Sequence, residues 1–144
     1  MRLFTHDTKM EALKRAPLFE GLSRAELVLI SRVSEDLEVP AGRVLCRQGE
    51  IGHEFFVIIE GEIDVTRDGE HLGTRSSGDF FGEIALLEEI PRTATVTAKT
   101  PLRFFVLTRQ AFTRLIDANP RVERKVLRAL ARRVADLAAD PTVA

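Results

Sequence analysis

The sequence has no tryptophan, no tyrosine and only one cysteine, and it contains no long apolar run. The single Cys46 cannot form an internal disulfide, and a helix that spans a bilayer needs about 20 apolar residues. The first residues also lack the apolar core of a signal peptide. We therefore expect a cytoplasmic protein without a membrane span.

An excess of charge of one sign is also missing, because 21 Lys and Arg residues are balanced by 22 Asp and Glu residues. The formal net charge of −1 gives no overall field that would attract a polyanion or a membrane surface. A length of 144 residues suits one ordinary domain with its own core. We predict one domain over 1–144, in which any binding site is local.

Helical patterns are found before the middle of the chain. Ser23 and Glu26 have the spacing of a capping box, and apolar residues then recur at helical intervals. This predicts a helix over 23–33, preceded by a shorter one around 7–15. An N-terminal helical segment is therefore expected over 1–34.

Helical patterns return after the middle of the chain. Thr108 is a typical N-cap residue, and Pro120 suits the first turn of a last helix of about 19 residues. The C-terminal helices are predicted over 109–139. One stripe of the last helix is apolar and has the spacing of a short coiled coil; it consists of Leu127, Leu130, Val134 and Leu137.

Between these segments the sequence consists of short β-type runs that are separated by turn residues. Asp68 and Gly69 lie between two alternating runs, which is a strong signal for a two-residue hairpin. Many short strands at regular spacing indicate a sandwich, a barrel or a jelly roll. The predicted fold is mainly β with flanking helices, and the β-rich part covers 35–108.

The stretch FGEIALLEEIPRTATV carries two charged residues in apolar surroundings. A short helix after Gly82 would present unpaired N–H groups to an anion. Arg92 would add a guanidinium that suits a phosphate, and Thr93 would add a hydroxyl. Glu83 would be repelled by a phosphate unless it accepts a hydrogen bond from a hydroxyl of the same ligand. Together these residues favour a sugar phosphate.

A structural interpretation of the same stretch is the alternative. Glu83 is an acid of the kind favoured at a helix start, and Arg92 would then be its salt-bridge partner. The apolar residues would belong to the core. Spacing alone favours neither interpretation, because short motifs often occur by chance.

The motif FGEIALL followed by PRTATV closely resembles the phosphate-binding cassette of cyclic nucleotide-binding domains. The stretches APLFEGLSRAEL and RQGEIGHEFFVIIEGEIDV are similar to other parts of this family, so the resemblance covers nearly the whole chain. It implies an eight-stranded, jelly-roll-like β-roll of the catabolite-activator type. N-terminal helices, a short cassette helix and two C-terminal helices complete the implied fold.

The resemblance also implies roles for individual residues. Glu83 would bind the ribose 2′-hydroxyl, Arg92 the cyclic phosphate, and Thr93 would contact the phosphate. In the last helix, which acts as a lid in this family, Arg133 corresponds to an arginine that contacts the base, and Leu137 to its apolar companion. A solvated arginine is the alternative for position 133. The other implied pocket residues are Val65, Phe81, Gly82, Ile84 and Ala85.

Neither a nucleophile nor a metal site is predicted. The three histidines are scattered, and Cys46 lies in an apparent strand without a positioned base, which indicates a buried, unreactive thiol. A metal enzyme of the cupin type, whose shell the β-roll resembles, would need clustered histidines. We expect a protein that is not an enzyme and that needs no cofactor besides its nucleotide ligand.

The favoured function is that of a stand-alone cyclic-nucleotide receptor that signals to an unidentified effector protein or through a homodimer. cAMP is the favoured ligand, and Thr93 also permits cGMP. About five residues follow the predicted last helix, so no DNA-binding domain is expected. The alternative is a structural domain that keeps the fold without binding a nucleotide, although the presence of Glu83 and Arg92 argues against it.

Overall fold

Two four-stranded antiparallel sheets form the centre of the structure, a computed structural model that describes Phe4 and residues 7–138 except the side chains of 85 and 136–138. The helices are α1 (Lys9–Arg15), α2 (Arg24–Val33), α3 (Glu83–Leu87), α4 (Arg109–Ala118) and α5 (Pro120–Ala138), with a 3-10 turn at Pro17–Phe19. The strands are β1 (Ser34–Val39), β2 (Val44–Cys46), β3 (Glu54–Glu60), β4 (Glu62–Arg67), β5 (Glu70–Ser76), β6 (Phe80–Phe81), β7 (Thr95–Ala98) and β8 (Leu102–Thr108). The strand orders β1-β8-β3-β6 and β2-β7-β4-β5 confirm the predicted β-roll with flanking helices.

Side-chain caps determine where three of the helices begin. The Thr8 and Ser23 hydroxyls accept hydrogen bonds from backbone N–H groups of the first turns of α1 and α2, and the Glu11 and Glu26 carboxylates accept from the backbone N–H groups of these cap residues. Thr108 caps α4 through its hydroxyl. These bonds satisfy N–H groups that have no acceptor inside the helix. The helix starts agree with the prediction, except that α1 begins two residues later.

The turn between β4 and β5 is the predicted two-residue hairpin. Asp68 has φ 53° and Gly69 has φ 78°, as the type I′ turn requires. The Gln48 side chain supports the turn, since its amide donates to Asp68 Oδ1 at 2.8 Å and its carbonyl accepts the Asp68 N–H at 2.9 Å. The register shifts between Thr66 and Val65, which places Val65 opposite Gly73, at the position where a cavity opens.

Strand β3 is buried on both faces and separates two apolar cores. Phe55, Val57 and Ile59 belong to the core beneath the helices, whereas Phe56 and Ile58 belong to the core between the sheets. Alternate residues of a strand point to opposite faces. This inner strand of the first sheet is therefore continuously apolar from Phe55 to Ile59.

The last helix packs one face against the core beneath the helices. Leu127 and Val134 are 57% and 64% exposed, whereas Leu130 packs against this core. The predicted apolar stripe is thus divided between two faces of α5, and the Leu137 side chain lies outside the described residues. The buried face of α5 contains Val122, Val126 and Ala129.

No helix among residues 7–138 is long and apolar enough to cross a membrane.

A network of ion pairs connects the N-terminal segment to the first sheet. Arg103 in β8 is 4% exposed, and its guanidinium donates to the Asp36 carboxylate at 2.7 and 3.1 Å and also to the carboxylate of Asp7. Arg15 in α1 donates to Asp7 at 2.6 Å. The hydrogen bond from Arg15 and the nearby Arg103 lower the pKa of Asp7 to about 2.

We expect Asp7→Asn to lower the free energy of unfolding at pH 7 by about 1 kcal/mol. The substitution removes a carboxylate whose ion pairs with Arg15 and Arg103 hold its folded-state pKa below its unfolded value. Stability from this group is present above the unfolded pKa and is lost as the pH falls through about 2. Urea unfolding between pH 7 and pH 2 should therefore show a difference from wild type that shrinks with acid.

Asp117→Asn is the matched control, because Asp117 is exposed on α4. A difference between Asp7→Asn and wild type that is equally large at pH 7 and pH 2 would contradict the assigned role of the Asp7 charge.

Candidate functional site

A cavity of about 380 Å³ lies between the second sheet, α3 and α5. Its apolar wall includes Cys46 and Val96, which continue the core between the sheets. The side chain of Ala85 and that of Leu137 fall outside the described residues. The cavity brings together the other predicted site residues, which are Val65, Phe81, Gly82, Glu83, Ile84, Arg92, Thr93 and Arg133.

Arg92 is a buried cation that is held by backbone carbonyls. The residue is 8% exposed, Nη1 donates to Gly82 O at 3.0 Å, and Nη2 donates to Glu54 O at 2.7 Å. The Arg92 Cζ lies 5.8 Å from the centroid of the Phe56 ring. No carboxylate among residues 7–138 forms an ion pair with it. Since a buried charge is costly without a counter-charge, the position favours an anionic ligand.

Two glycines provide the space that Arg92 occupies. A Cβ atom at Gly52 would lie 2.3 Å from Arg92 Nε and 2.4 Å from Cζ, and one at Gly82 would lie 2.8 Å from Nη1. Gly82 also has φ 97°, which favours glycine. The sequence indicated Gly82 but not Gly52, because no local pattern marks a glycine whose role is to clear space for a distant side chain.

Glu83 is a buried carboxylate with one paired and one unpaired oxygen. The residue is 1% exposed at the start of α3, and Oε1 accepts a hydrogen bond from Arg133 Nη1. Oε2 is buried and has no hydrogen-bond partner within the described part of the chain. Burial raises the pKa of Glu83, while the charge of Arg133 opposes this increase. The salt bridge between Glu83 and Arg92, the structural alternative from the sequence, is wrong, because Glu83 pairs with Arg133 instead.

Arg133 reaches the cassette, residues 81–96, and the two residues before it. Besides its bond to Glu83, it donates through Nη2 to Asp79 Oδ1 at 3.0 Å and to Phe80 O at 2.7 Å. Its Cζ also lies 5.1 Å from the centroid of the Phe80 ring. Both terminal nitrogens therefore bind protein acceptors. The alternative of a solvated arginine is wrong, and the contact of Arg133 with a base stays a prediction.

Two further arginines, Arg67 and Arg75, line the cavity from the second sheet. They donate to backbone carbonyls at 2.8 and 3.4 Å, and burial, together with the charge of Arg133, lowers the pKa of Arg75. With Arg92 and Arg133, four arginines face one lining carboxylate, that of Glu83. The cavity is therefore cationic. Sequence reasoning missed Arg67 and Arg75, because only the register of β4 and β5 shows which face they occupy.

Helix α3 begins beside the cavity without a side-chain cap, because its N-cap residue is Gly82. The first N–H groups of a helix have no acceptor inside it. The backbone donors predicted at Gly82, Ile84 and Ala85 belong to this turn, and their contact with a ligand stays a prediction.

The thiol of Cys46 is buried, and this burial raises its pKa to about 11. Only the thiolate is strongly nucleophilic. The predicted burial of the thiol is therefore confirmed, and its lack of reactivity stays a prediction that the raised pKa supports. Among residues 7–138, no group of three or more His, Cys, Asp or Glu side chains is arranged to hold a metal ion.

The sequence matches a family model and the sequences of known proteins. The family model of the cyclic nucleotide-binding domain matches residues 36–119. The cAMP-dependent protein kinase regulatory subunit of Mycosarcoma maydis is 45% identical, and the match covers 72% of this chain and 22% of that protein. The chain thus spans about a fifth of the length of this relative.

Two solved structures share the fold. The catabolite activator protein of Thermus thermophilus is 30% identical with a TM-score of 0.73, over 86% of this chain and 62% of that chain. The regulatory subunit of a cAMP-independent protein kinase A from Trypanosoma brucei is 28% identical with a TM-score of 0.76, over 85% of this chain and 46% of that chain.

We expect Gly52→Ala to lower the free energy of unfolding by about 1–3 kcal/mol, because the new methyl group overlaps Arg92 and forces it from its two carbonyls. Gly52 does not have a positive φ, so the effect reports steric overlap. Gly73→Ala is the matched control, since a Cβ there meets nothing within 4 Å. Urea unfolding of both variants measures the difference, and equal stabilities would contradict this role of Gly52.

Proposed function

The chain belongs to the cyclic nucleotide-binding domain family, and we propose that it is a regulatory module that binds a cyclic purine nucleotide in the cavity beside α3. Its homologues are regulatory binding domains and not catalytic enzymes. One observation supports the proposal most strongly: the same cavity is lined by Arg92, a buried cation without a carboxylate partner among residues 7–138, and by Glu83, whose buried Oε2 has no hydrogen-bond partner there.

The cyclic phosphate is the proposed ligand of Arg92. A guanidinium carries five N–H donors, and the carbonyls of Gly82 and Glu54 accept from its two terminal nitrogens. The donors that remain are available to a phosphate oxygen at the cavity surface. A monoanionic phosphate would also supply the counter-charge that this buried guanidinium lacks among residues 7–138. Thr93, which lines the cavity next to Arg92, is the proposed second contact.

The ribose 2′-hydroxyl is the proposed partner of Glu83. The unpaired Oε2 is an acceptor without a donor, and a hydroxyl of the ligand would satisfy it. A carboxylate at an anion site is otherwise unfavourable. A ligand that carries a phosphate and a vicinal hydroxyl on one rigid ring satisfies both residues at once.

The base is proposed to lie against the apolar wall that Val65 and Phe81 contribute. The ligand that we propose is cAMP, with cGMP as the second candidate. Regulatory subunits of cAMP-dependent protein kinases are among the relatives of the chain, and this supports the order. Thr93 still permits cGMP. In this position the base would lie near Arg133 and α5.

Signalling is proposed to pass through α5, because Arg133 on this helix binds the cassette that holds the nucleotide. A ligand shifts a protein between two states only by its different affinity for them. We propose that the nucleotide favours the state in which α5 packs over the base. The receiver is an effector protein or a second copy that docks on the exposed Leu127 and Val134. That the module acts alone stays a prediction from the sequence.

A domain that keeps this fold without binding cAMP is the second candidate. The Trypanosoma brucei relative is named as part of a cAMP-independent kinase, so the fold alone does not determine the ligand. Among residues 7–138, Arg92 has no carboxylate partner and Glu83 Oε2 has no hydrogen-bond donor, and both features favour a bound nucleotide instead.

We expect calorimetric titration to show binding of cAMP or cGMP, and Arg92→Ala to weaken it at least about tenfold. Truncating one partner of a buried, hydrogen-bonded charge pair typically costs about 2–5 kcal/mol, and a tenfold change in affinity corresponds to about 1.4 kcal/mol. The exposed Arg47, changed to alanine, is the control for a general loss of positive charge.

Arg92→Lys keeps the charge but loses the forked geometry, so we expect an intermediate affinity. Thermal unfolding of each variant shows whether the fold is retained. Unchanged affinity of a folded Arg92→Ala variant would disprove the phosphate role, and no binding of either nucleotide by the wild type would favour the second candidate.

Hydrogen exchange is expected to slow in α5 when the nucleotide binds, because the packed state of the helix is favoured. Mass spectrometry of the backbone amides of 120–138 with and without cAMP measures this change. The amides of β3 serve as the internal reference, since this strand is buried on both faces. Equal exchange rates of α5 in both samples would indicate a rigid binding module and not a switch.

A further inference from the structure

We propose that a second copy of this chain docks the outer face of its α5 on the cassette rim, the exposed side chains of Ile51, Leu87 and Ile90, and receives the same contact in return. This contact gives a place to the second copy that the proposed function names as one of two receivers. The contact does not itself require a nucleotide.

The cassette rim is an exposed group of large aliphatic side chains. Ile51, Leu87 and Ile90 are 62%, 45% and 40% exposed. Ile51 forms a β-bridge with Pro91, the residue after Ile90, and Leu87 is the last residue of α3, three positions before Ile90. A group of exposed apolar side chains with a polar surround is typical of an interaction surface.

Acidic side chains flank the cassette rim, because Glu50, Glu88 and Glu89 are exposed next to its aliphatic residues along the chain. Arg109 Nη1 pairs with Glu89 Oε1 at 3.8 Å, and the exposed Arg47 lies three residues before Glu50. These acids outnumber the bases. A partner that covers the cassette rim therefore needs apolar side chains with positive charges beside them.

The outer face of α5 has this composition. Leu127 is exposed on it, and the exposed Arg124 and Arg128 lie one helical turn apart beside this leucine. Val134 extends the apolar part by two further turns. If α5 paired with α5 of another copy, Arg124 and Arg128 would meet arginines of the same face. On the cassette rim they meet carboxylates instead.

The two surfaces are neighbours on one molecule, which permits a closed dimer. Arg133, next to Val134, binds Glu83 at the start of α3, and Leu87 ends this helix four residues later. At a rise of 1.5 Å per residue, the two ends of α3 are about 6 Å apart. A twofold axis between α5 and the cassette rim then places each surface of one copy opposite the other surface of the second copy.

Helix α3 connects this contact with the proposed nucleotide site, since it begins beside the cavity and ends at the cassette rim. Two ligands that favour the same position of one element increase each other's affinity, and the second copy is such a ligand. Association of the copies is therefore coupled to the state of the cavity.

Sedimentation velocity of the chain without nucleotide, over a range of protein concentrations, measures the association. The wild type should form a dimer that weakens as salt is added, because exposed charges are screened. Glu50→Lys with Glu88→Lys makes the cassette rim basic, and Arg124→Glu with Arg128→Glu makes the outer face of α5 acidic. Each double variant places like charges opposite each other and should raise the dissociation constant at least about tenfold.

An equimolar mixture of the two double variants is the most specific sample. In a mixed dimer both contacts again join opposite charges, so the mixture should associate with nearly the affinity of the wild type, although neither variant does so alone. Glu35→Lys with Glu38→Lys, at exposed positions of β1, is the matched control and should associate like the wild type. Thermal unfolding shows whether each variant is folded.

The outcomes are distinct. A wild type that stays monomeric up to near-millimolar concentration overturns the inference. A dimer that tolerates the charge reversal at Glu50 and Glu88 also overturns it, since the copies would then pair through α5 alone or through another surface. The same holds if the mixture does not associate. Titration of the wild type with cAMP and cGMP tests the proposed function separately, because sedimentation is measured without nucleotide.

Discussion

Arg92 carries a positive charge although only 8% of the residue is exposed, and it donates to the backbone carbonyls of Gly82 and Glu54 beside the Phe56 ring. Removing a guanidinium from water is costly, and the neighbouring parts of the structure reduce this cost without neutralising the charge. The carbonyl of Glu54 is available because β3 begins there, and that of Gly82 because the chain turns through a positive φ. Gly52 must lack a side chain. The start of β3, the turn at Gly82 and the loop at Gly52 are thus arranged around the Arg92 side chain. This side chain has no carboxylate partner among residues 7–138.

Glu83, the second buried charge of the cavity, differs from Arg92 because it has an ion-pair partner. Glu83 is paired with Arg133, which comes from the last helix and not from the loop before β7 that carries Arg92. The Arg92 side of the cavity is therefore built into the β-roll, whereas the Glu83 side is shared with α5. Under the proposed function, a nucleotide that bridges the two sides would contact both parts, and its binding free energy would depend on where α5 lies.

The sequence contained the parts of this design that are local. Short patterns showed the capping box at Ser23, the N-cap at Thr108 and the Asp68-Gly69 turn. They also showed the acid and the arginine of the cassette. Contacts between distant residues were not visible. The partner of Glu83 is 50 residues away along the chain, and the spacing to the nearer Arg92 suggested the wrong ion pair. Arg103 and Asp7 are 96 residues apart and belong to no motif. Such pairs follow from strand order and helix packing, which short patterns do not specify.

Helix α5 is attached by hydrogen bonds near both of its ends. Near its start, Lys125 donates to the carbonyls of Pro17 and Glu20 at 2.5 and 3.2 Å, and Arg121 donates to that of Gly21 at 3.2 Å. Near its end, Arg133 binds the cassette. The bonds of Arg121 and Lys125 are exposed and exchange for bonds to water at a small net cost, whereas the close-packed strands β3 and β8 move only by breaking the core. Under the proposed function, a change at the cassette would reach α5 through Arg133, and the 3-10 turn through Lys125, before it altered the sheets.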